Sequence, residues 1–173
     1  MVPFLATSGE LKTKPTQHSV KSLLESGVQP DILALRTEHK LTEGVKEKVA
    51  LFCNIEPNAV IEAIDAETIY DVPLLMKSEK LDTVVLNKLG LEEKQEPSLD
   101  KWNAFLSKLK QPKHSAKIAI VGKYIELKDS YKSIAEALIH AGASNETAVE
   151  IEWIHSESVT AENAGEKLSL IHI

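Results

Sequence analysis

With 173 residues and 43% apolar side chains, the chain carries enough core-forming sequence for one ordinary domain or parts of two, which excludes a disordered segment. Its formal net charge of −6 argues against general nucleic-acid binding while leaving room for a local basic pocket. The single Cys53 excludes an internal disulfide framework and a cysteine-cluster zinc site; no apolar run approaches a membrane span and no signal-peptide pattern opens the chain, so the expectation is a soluble, cytoplasmic protein.

Residues 9–27, "GELKTKPTQHSVKSLLESG", read as a tight turn, two lysines flanking a threonine, and a helix. Pro15 can start that helix, Thr16 can cap it and Gly27 can end it, with Val20, Leu23 and Leu24 on one face. "PDILALRT" predicts a short buried strand. Thr42 can cap the next helix, whose apolar stripe is Val45, Val49 and Phe52, and "NAVIEAID" predicts a second buried strand. Residues 66–91 predict helical pieces broken at Pro73. The polar stretch 92–101, with Pro97, reads as a linker.

Residues 98–109 give the clearest amphipathic helix: Leu99, Trp102, Phe105, Leu106 and Leu109 fall within about a third of the wheel at ~100° per residue. That spacing makes Trp102 and Phe105 core residues rather than a stacking platform. "AKIAIVG" then predicts a buried strand, Tyr131, Ile134, Ala135 and Leu138 line a helix, and "AVEIEWIH" gives another strand. Strand, helix, strand in this order implies a parallel pair, so a second α/β unit begins near Ala116.

A loop entering a helix offers free backbone N–H groups and the positive end of the helix dipole. Lys12 and Lys14 add charge there, and Thr13, Thr16 and Gln17 add neutral donors, a set suited to a polyphosphate. The plainer reading is a solvated basic turn. Lys48, about 60° from the centre of its helix stripe, either lies along apolar surface with its tip in water or aims a charge into a cleft. Arg36 and Asp65 stand at or just past strand ends, where ligands gather in open α/β sheets; exposed loop charge is the alternative for both. No phosphate-binding loop, dinucleotide fingerprint or nucleophile elbow occurs, and the six histidines show no ligand spacing.

The stretch "SGELKTKPTQHSVKSLL", with "GVQPDILALRT", "KEKVALFCNI", "AIDAETIYDVPLLM" and "KIAIVGKYIELKDSYKSIAEAL", resembles the CTP synthase family. The resemblance runs to about Leu168 and implies an internal fragment. Residues 1–91 would be the C-terminal half of a Rossmann-like amidoligase domain, 92–115 a linker with an amphipathic helix, and 116–173 the first βαβ of a flavodoxin-like class I glutamine amidotransferase domain. It implies ATP-dependent amination of UTP to CTP with ammonia from glutamine, with Mg2+ accompanying ATP, GTP as allosteric activator, CTP as inhibitor, and a homotetramer. By position, Lys12, Thr13, Lys14, Pro15, Thr16, Gln17 and Lys48 would contact UTP or CTP. Arg36, Ile64, Asp65 and Ala66 would contact ATP. Relatives often carry a basic residue where Ile64 stands and valine where Ala66 stands, which leaves backbone contacts to adenine at these positions. Catalytic groups and metal carboxylates would lie outside this chain, and the final "SLIHI" departs from the family pattern. The competing expectations are a non-catalytic pyrimidine-nucleotide-binding or scaffold module, and an interaction domain whose basic turn is surface.

Overall fold

The computed structural model describes residues 1–92 and 95–169, the side chain of Lys128 excepted. Parts of the linker stretch (93 and 94) and most of "SLIHI" (170–173) lie outside the described residues. Two compact units form, Met1–Pro97 and Ser98–Ile173.

The first unit opens with a hairpin that periodicity does not signal: β1 (Phe4–Leu5) pairs antiparallel with β2 (Glu10–Leu11). Gly9, at φ +64°, closes it in a conformation that penalises a side chain. Helix α1 (Lys14–Glu25) follows at once. Its cap position is Thr13, not Thr16 as expected, because Pro15 sits in the first turn, where a missing N–H costs nothing. Thr16 is thereby inside the helix. At the other end Gly27, at φ +82°, donates to the Leu24 carbonyl and Val28 to the Leu23 carbonyl, a Schellman closure as the sequence predicts. Of the expected apolar face, Val20 is buried but Leu23 and Leu24 remain partly exposed.

Strand β3 (Leu33–Thr37) and β4 (Val60–Ile64) pair in parallel, from Leu33 opposite Val60 to Thr37 opposite Ile64, with α2 (Glu43–Cys53) between them in the chain. The α/β reading with short parallel sheets therefore holds. Val20, Leu35, Leu41, Val49, Ala50, Cys53 and Val60 form the core with Val2. β3 is less enclosed than "PDILALRT" predicts, since Ala34 and Arg36 face outward. On α2 the buried arc is Val49, Ala50 and Cys53, which leaves Phe52 62% exposed rather than in the core. Val45 marks the edge of that arc, so a stripe drawn through Val45, Val49 and Phe52 is displaced from the true face by part of a turn.

Pro73 does not break a helix; it lies in the first turn of α3 (Val72–Ser78). The break comes at Lys80, at φ +57°, before α4 (Leu81–Leu89). That corner is tied inward by Glu79, whose carboxylate takes Lys46 Nζ at 2.6 Å and the Glu62 N–H at 2.9 Å. The buried Glu62 carboxylate in turn accepts the Leu41 N–H. Desolvation raises the Glu79 pKa, but the hydrogen bonds from Lys46 and Glu62 and the charges of Lys46 and Lys40 outweigh it, and the net shift is downward. A depressed folded-state pKa contributes stability that is complete above the unfolded carboxyl value and is lost as pH falls through the folded one. Stability of the first unit should therefore fall below about pH 4. Denaturant melts of Glu79→Gln against pH should show a flatter acid limb and a loss of about 1–3 kcal/mol at neutral pH, since Lys46 keeps no counter-charge there. Identical acid limbs for variant and parent would contradict this.

In the second unit β5 (His114–Gly122) pairs in parallel with β6 (Thr147–His155) along its whole length, and α6 (Lys132–Ser144) connects them, as the strand–helix–strand order predicts. β5 begins two residues before the apolar run. Helix α5 (Asp100–Lys110) packs on α6 and β6, with Leu106 buried and the Trp102 and Phe105 rings 5.6 Å apart. Of the face expected on α6, Ala135 and Leu138 are half-buried, while Ile134 is exposed. A short helix, α7 (Ala164–Lys167), ends the described chain. Gly122, the last residue of β5, is a packing residue. A Cβ there would collide with the Tyr131 hydroxyl, which donates to the Lys123 carbonyl at 2.6 Å.

Candidate functional site

Two groups of the residues singled out by sequence lie in the first unit. The first surrounds the entry to α1. Lys12 stands between β2 and the helix, and its Nζ meets Glu10 Oε2 at 2.5 Å. The hydrogen bond and charge of Lys12 hold the Glu10 carboxyl below its usual range against a smaller desolvation effect, and Lys48 adds to the lowering. The charge of Lys48, on α2, is thus felt at the carboxylate that Lys12 pairs with, although the two lysines are far apart in sequence. Lys14 and Pro15 are exposed in the first turn of the helix. Gln17 donates through Nε2 to Thr13 Oγ1 at 3.1 Å.

Two of the expected contact residues have buried side chains. Thr13 and Thr16 are buried, at 6% and 4% exposure, and the Thr16 hydroxyl donates to the Met1 carbonyl at 2.9 Å. The side chains left at the surface are those of Lys12, Lys14, Pro15, Gln17 and Lys48. Phe52, expected in the core, is exposed instead. It lies one helical turn beyond Lys48 on the outer side of α2, and its i, i+4 relation to a lysine is the available signal.

The second group encloses a cavity of about 460 Å3 at the C-terminal ends of β3 and β4. Arg36, Ile64, Asp65 and Ala66 all line it, together with Ala63 and an apolar wall from Ile69, Val72, Leu75 and Met76. Arg36 Nε lies 3.1 Å from Asp65 Oδ1, an exposed ion pair. Parallel strands end here side by side: the Asp65 N–H donates to the Thr37 carbonyl at 2.9 Å, which continues the β3–β4 ladder one step past Ile64. The apolar wall escapes sequence reasoning because Ile69, Val72, Leu75 and Met76 belong to a helical segment legible only for its breaks. Chemically, this is an apolar slot with one guanidinium and one carboxylate beside it, the composition of a site for a flat, partly polar ligand.

Comparison with known proteins bears on both groups. Residues 1–91 match the family described as CTP synthase N-terminus. The chain belongs to the CTP synthase family. It is 57% identical over 171 residues to the CTP synthase of Flavobacterium johnsoniae, covering 99% of this chain and 32% of that protein. It is 62% identical over 163 residues to the CTP synthase of Cytophaga hutchinsonii, covering 94% and 30%. With that of Methanocaldococcus jannaschii it shares 53% over 168 residues, covering 97% and 31%. The chain thus spans about a third of the length of these relatives. Among the described residues no helix is long and apolar enough to cross a membrane, and no group of three or more His, Cys, Asp or Glu could hold a metal ion.

Proposed function

We propose that this chain is the nucleotide-gripping part of a glutamine-dependent CTP-forming ligase, and that both groups of residues bind substrate. Family membership carries the proposal, and the gathering of Arg36, Ile64, Asp65 and Ala66 around one cavity supports it. In the reaction, ATP transfers its γ-phosphoryl group to O4 of UTP. The O4–P bond forms and ADP leaves. Ammonia released from glutamine attacks C4, and phosphate departs with O4. UTP, ATP and ammonia thus become CTP, ADP and phosphate. The phosphorylation is needed because a carbonyl oxygen leaves poorly and a phosphate leaves well.

The chain's own contribution is binding and orientation. Lys12, Lys14 and Lys48 would neutralise the pyrimidine triphosphate, with α1 N–H groups assisting. The Arg36–Asp65 pair would flank the adenine nucleotide, and the backbone of Ile64 and Ala66 would meet the base along the apolar wall. The described residues supply no carboxylate cluster for Mg2+, so no step here is assigned to it. In this reading the first unit is the later half of a Rossmann-like amidoligase domain and the second the opening of a flavodoxin-like amidotransferase domain. The whole protein would be a cytoplasmic homotetramer activated by GTP and inhibited by CTP.

The 173-residue chain should bind CTP and UTP in a calorimetric titration yet form no CTP from UTP, ATP and ammonium. The phosphate loop and the amidotransferase nucleophile that the family implies are not among its residues. Detectable CTP in that mixture, or no binding of either pyrimidine nucleotide, would overturn the proposal.

A further inference from the structure

Three consecutive residues tie the two candidate sites to one segment. The Met1 carbonyl accepts the Thr16 hydroxyl at 2.9 Å, and the Pro3 carbonyl accepts the Lys12 N–H at 2.9 Å. Between them the Val2 N–H donates to the Arg36 carbonyl, also at 2.9 Å. Backbone groups alternate in direction along an extended segment, so its two edges can hold two different neighbours. Here one edge holds the basic turn and the other holds β3 at the residue that lines the cavity. Val2 is fully buried in the core, which fixes the segment in place.

Thr16 is the side chain that closes this arrangement. Its hydroxyl is nine-tenths buried and its proton is committed to Met1, so it does not reach outward toward a nucleotide. We propose that Thr16 is a positioning residue that, through Met1–Pro3, sets Lys12 and Arg36 together, so that loosening it weakens ligands at both sites at once. This rests on the nucleotide reading of those sites. Replacing the hydroxyl by a methyl takes this part-buried hydrogen bond from the Met1 carbonyl, and the segment then has reason to shift.

Calorimetry on the 173-residue chain, with CTP as probe of the basic turn and ATP as probe of the cavity, tests it. Thr16→Val should weaken CTP and ATP by about tenfold each, the fold-change of one lost hydrogen bond. Thr16→Ser should restore both to within about twofold, since it keeps the hydroxyl. Val84→Ala in α4, outside both groups, should lower the melting temperature without moving either affinity. A Thr16→Val loss confined to CTP, a Ser variant as weak as Val, or a Val84→Ala variant that weakens both ligands would each overturn the proposal. Should Thr16→Val fail to fold, amide exchange in the parent chain decides. CTP should slow exchange of the Val2 N–H, which is turned toward β3, and an unchanged rate refutes the tie. Failure of the parent to bind either nucleotide would instead bring down the underlying reading, and this inference with it.

Discussion

Lys12→Ala combined with Lys48→Ala should weaken CTP binding by about a hundredfold. A charge-assisted hydrogen bond contributes roughly 1.5–3 kcal/mol, and two of them exceed the ~2.7 kcal/mol that a hundredfold change represents. Lys12 is paired with Glu10, and the charge of Lys48 also lowers the Glu10 carboxyl, so both lysines contribute to the field at the entry to α1. The Glu10–Lys12 pair is exposed, so its loss on ligand entry costs little. The same carboxylate offers a second handle: Glu10→Gln should tighten CTP, because Lys12 no longer has a competitor. The lysine effect should shrink as salt rises, as befits exposed charges. Uridine, which carries no phosphate, should be indifferent to both substitutions. An unchanged CTP affinity in the double variant would return the basic turn to the status of solvated surface.

Gly142→Ala should destabilise the second unit by about 2 kcal/mol, the middle of the range for forcing extra volume into a packed site. Two effects oppose each other in this substitution. Alanine is a better helix former than glycine by about 1 kcal/mol, and α6 would gain from it. The new Cβ, however, would lie 2.6 Å from the Thr147 carbonyl oxygen and 2.8 Å from Val149 Cγ2. The oxygen belongs to the first residue of β6, which is paired with His114 across the sheet, so it cannot yield without disturbing the strand register. Gly165 serves as the control. It sits in α7, and a Cβ added there would meet nothing within 4 Å, so Gly165→Ala should be neutral or slightly stabilising. Both tryptophans, Trp102 and Trp153, lie in the second unit, and their fluorescence during denaturant unfolding reports its stability directly. Equal midpoints for Gly142→Ala and Gly165→Ala would show that β6 accommodates the methyl.

What is legible in the sequence is local. The parallel pairs follow from short apolar runs alternating with helical spacing, and the basic entry to α1 follows from lysines placed just before Pro15. Thr16 is misplaced because a threonine just past a proline looks the same in sequence whether it precedes a helix or lies in its first turn. Only the Met1 carbonyl, fifteen residues away, reveals its hydrogen bond. Phe52 is misplaced because a wheel fixes relative angles but not which arc turns inward, and a large ring beside two small buried residues, Ala50 and Cys53, draws the arc toward itself. The Lys46–Glu79–Glu62 corner is illegible for a different reason. Its members are separated by up to 33 positions, and nothing but folding brings them together. The cavity is half legible: Arg36 and Asp65 follow from the rule that ligands gather at strand ends, whereas its apolar wall depends on how α3 lies across β4.

The central claim is that ammonium groups of Lys12, Lys14 and Lys48 jointly hold the phosphates of a pyrimidine triphosphate. The most direct measurement is a crystal structure with CTP bound. Triphosphate oxygens should then lie within hydrogen-bonding distance of Nζ of these lysines, with Glu10 released from Lys12. Phosphates seated anywhere else, with Lys12 still on Glu10, would contradict it.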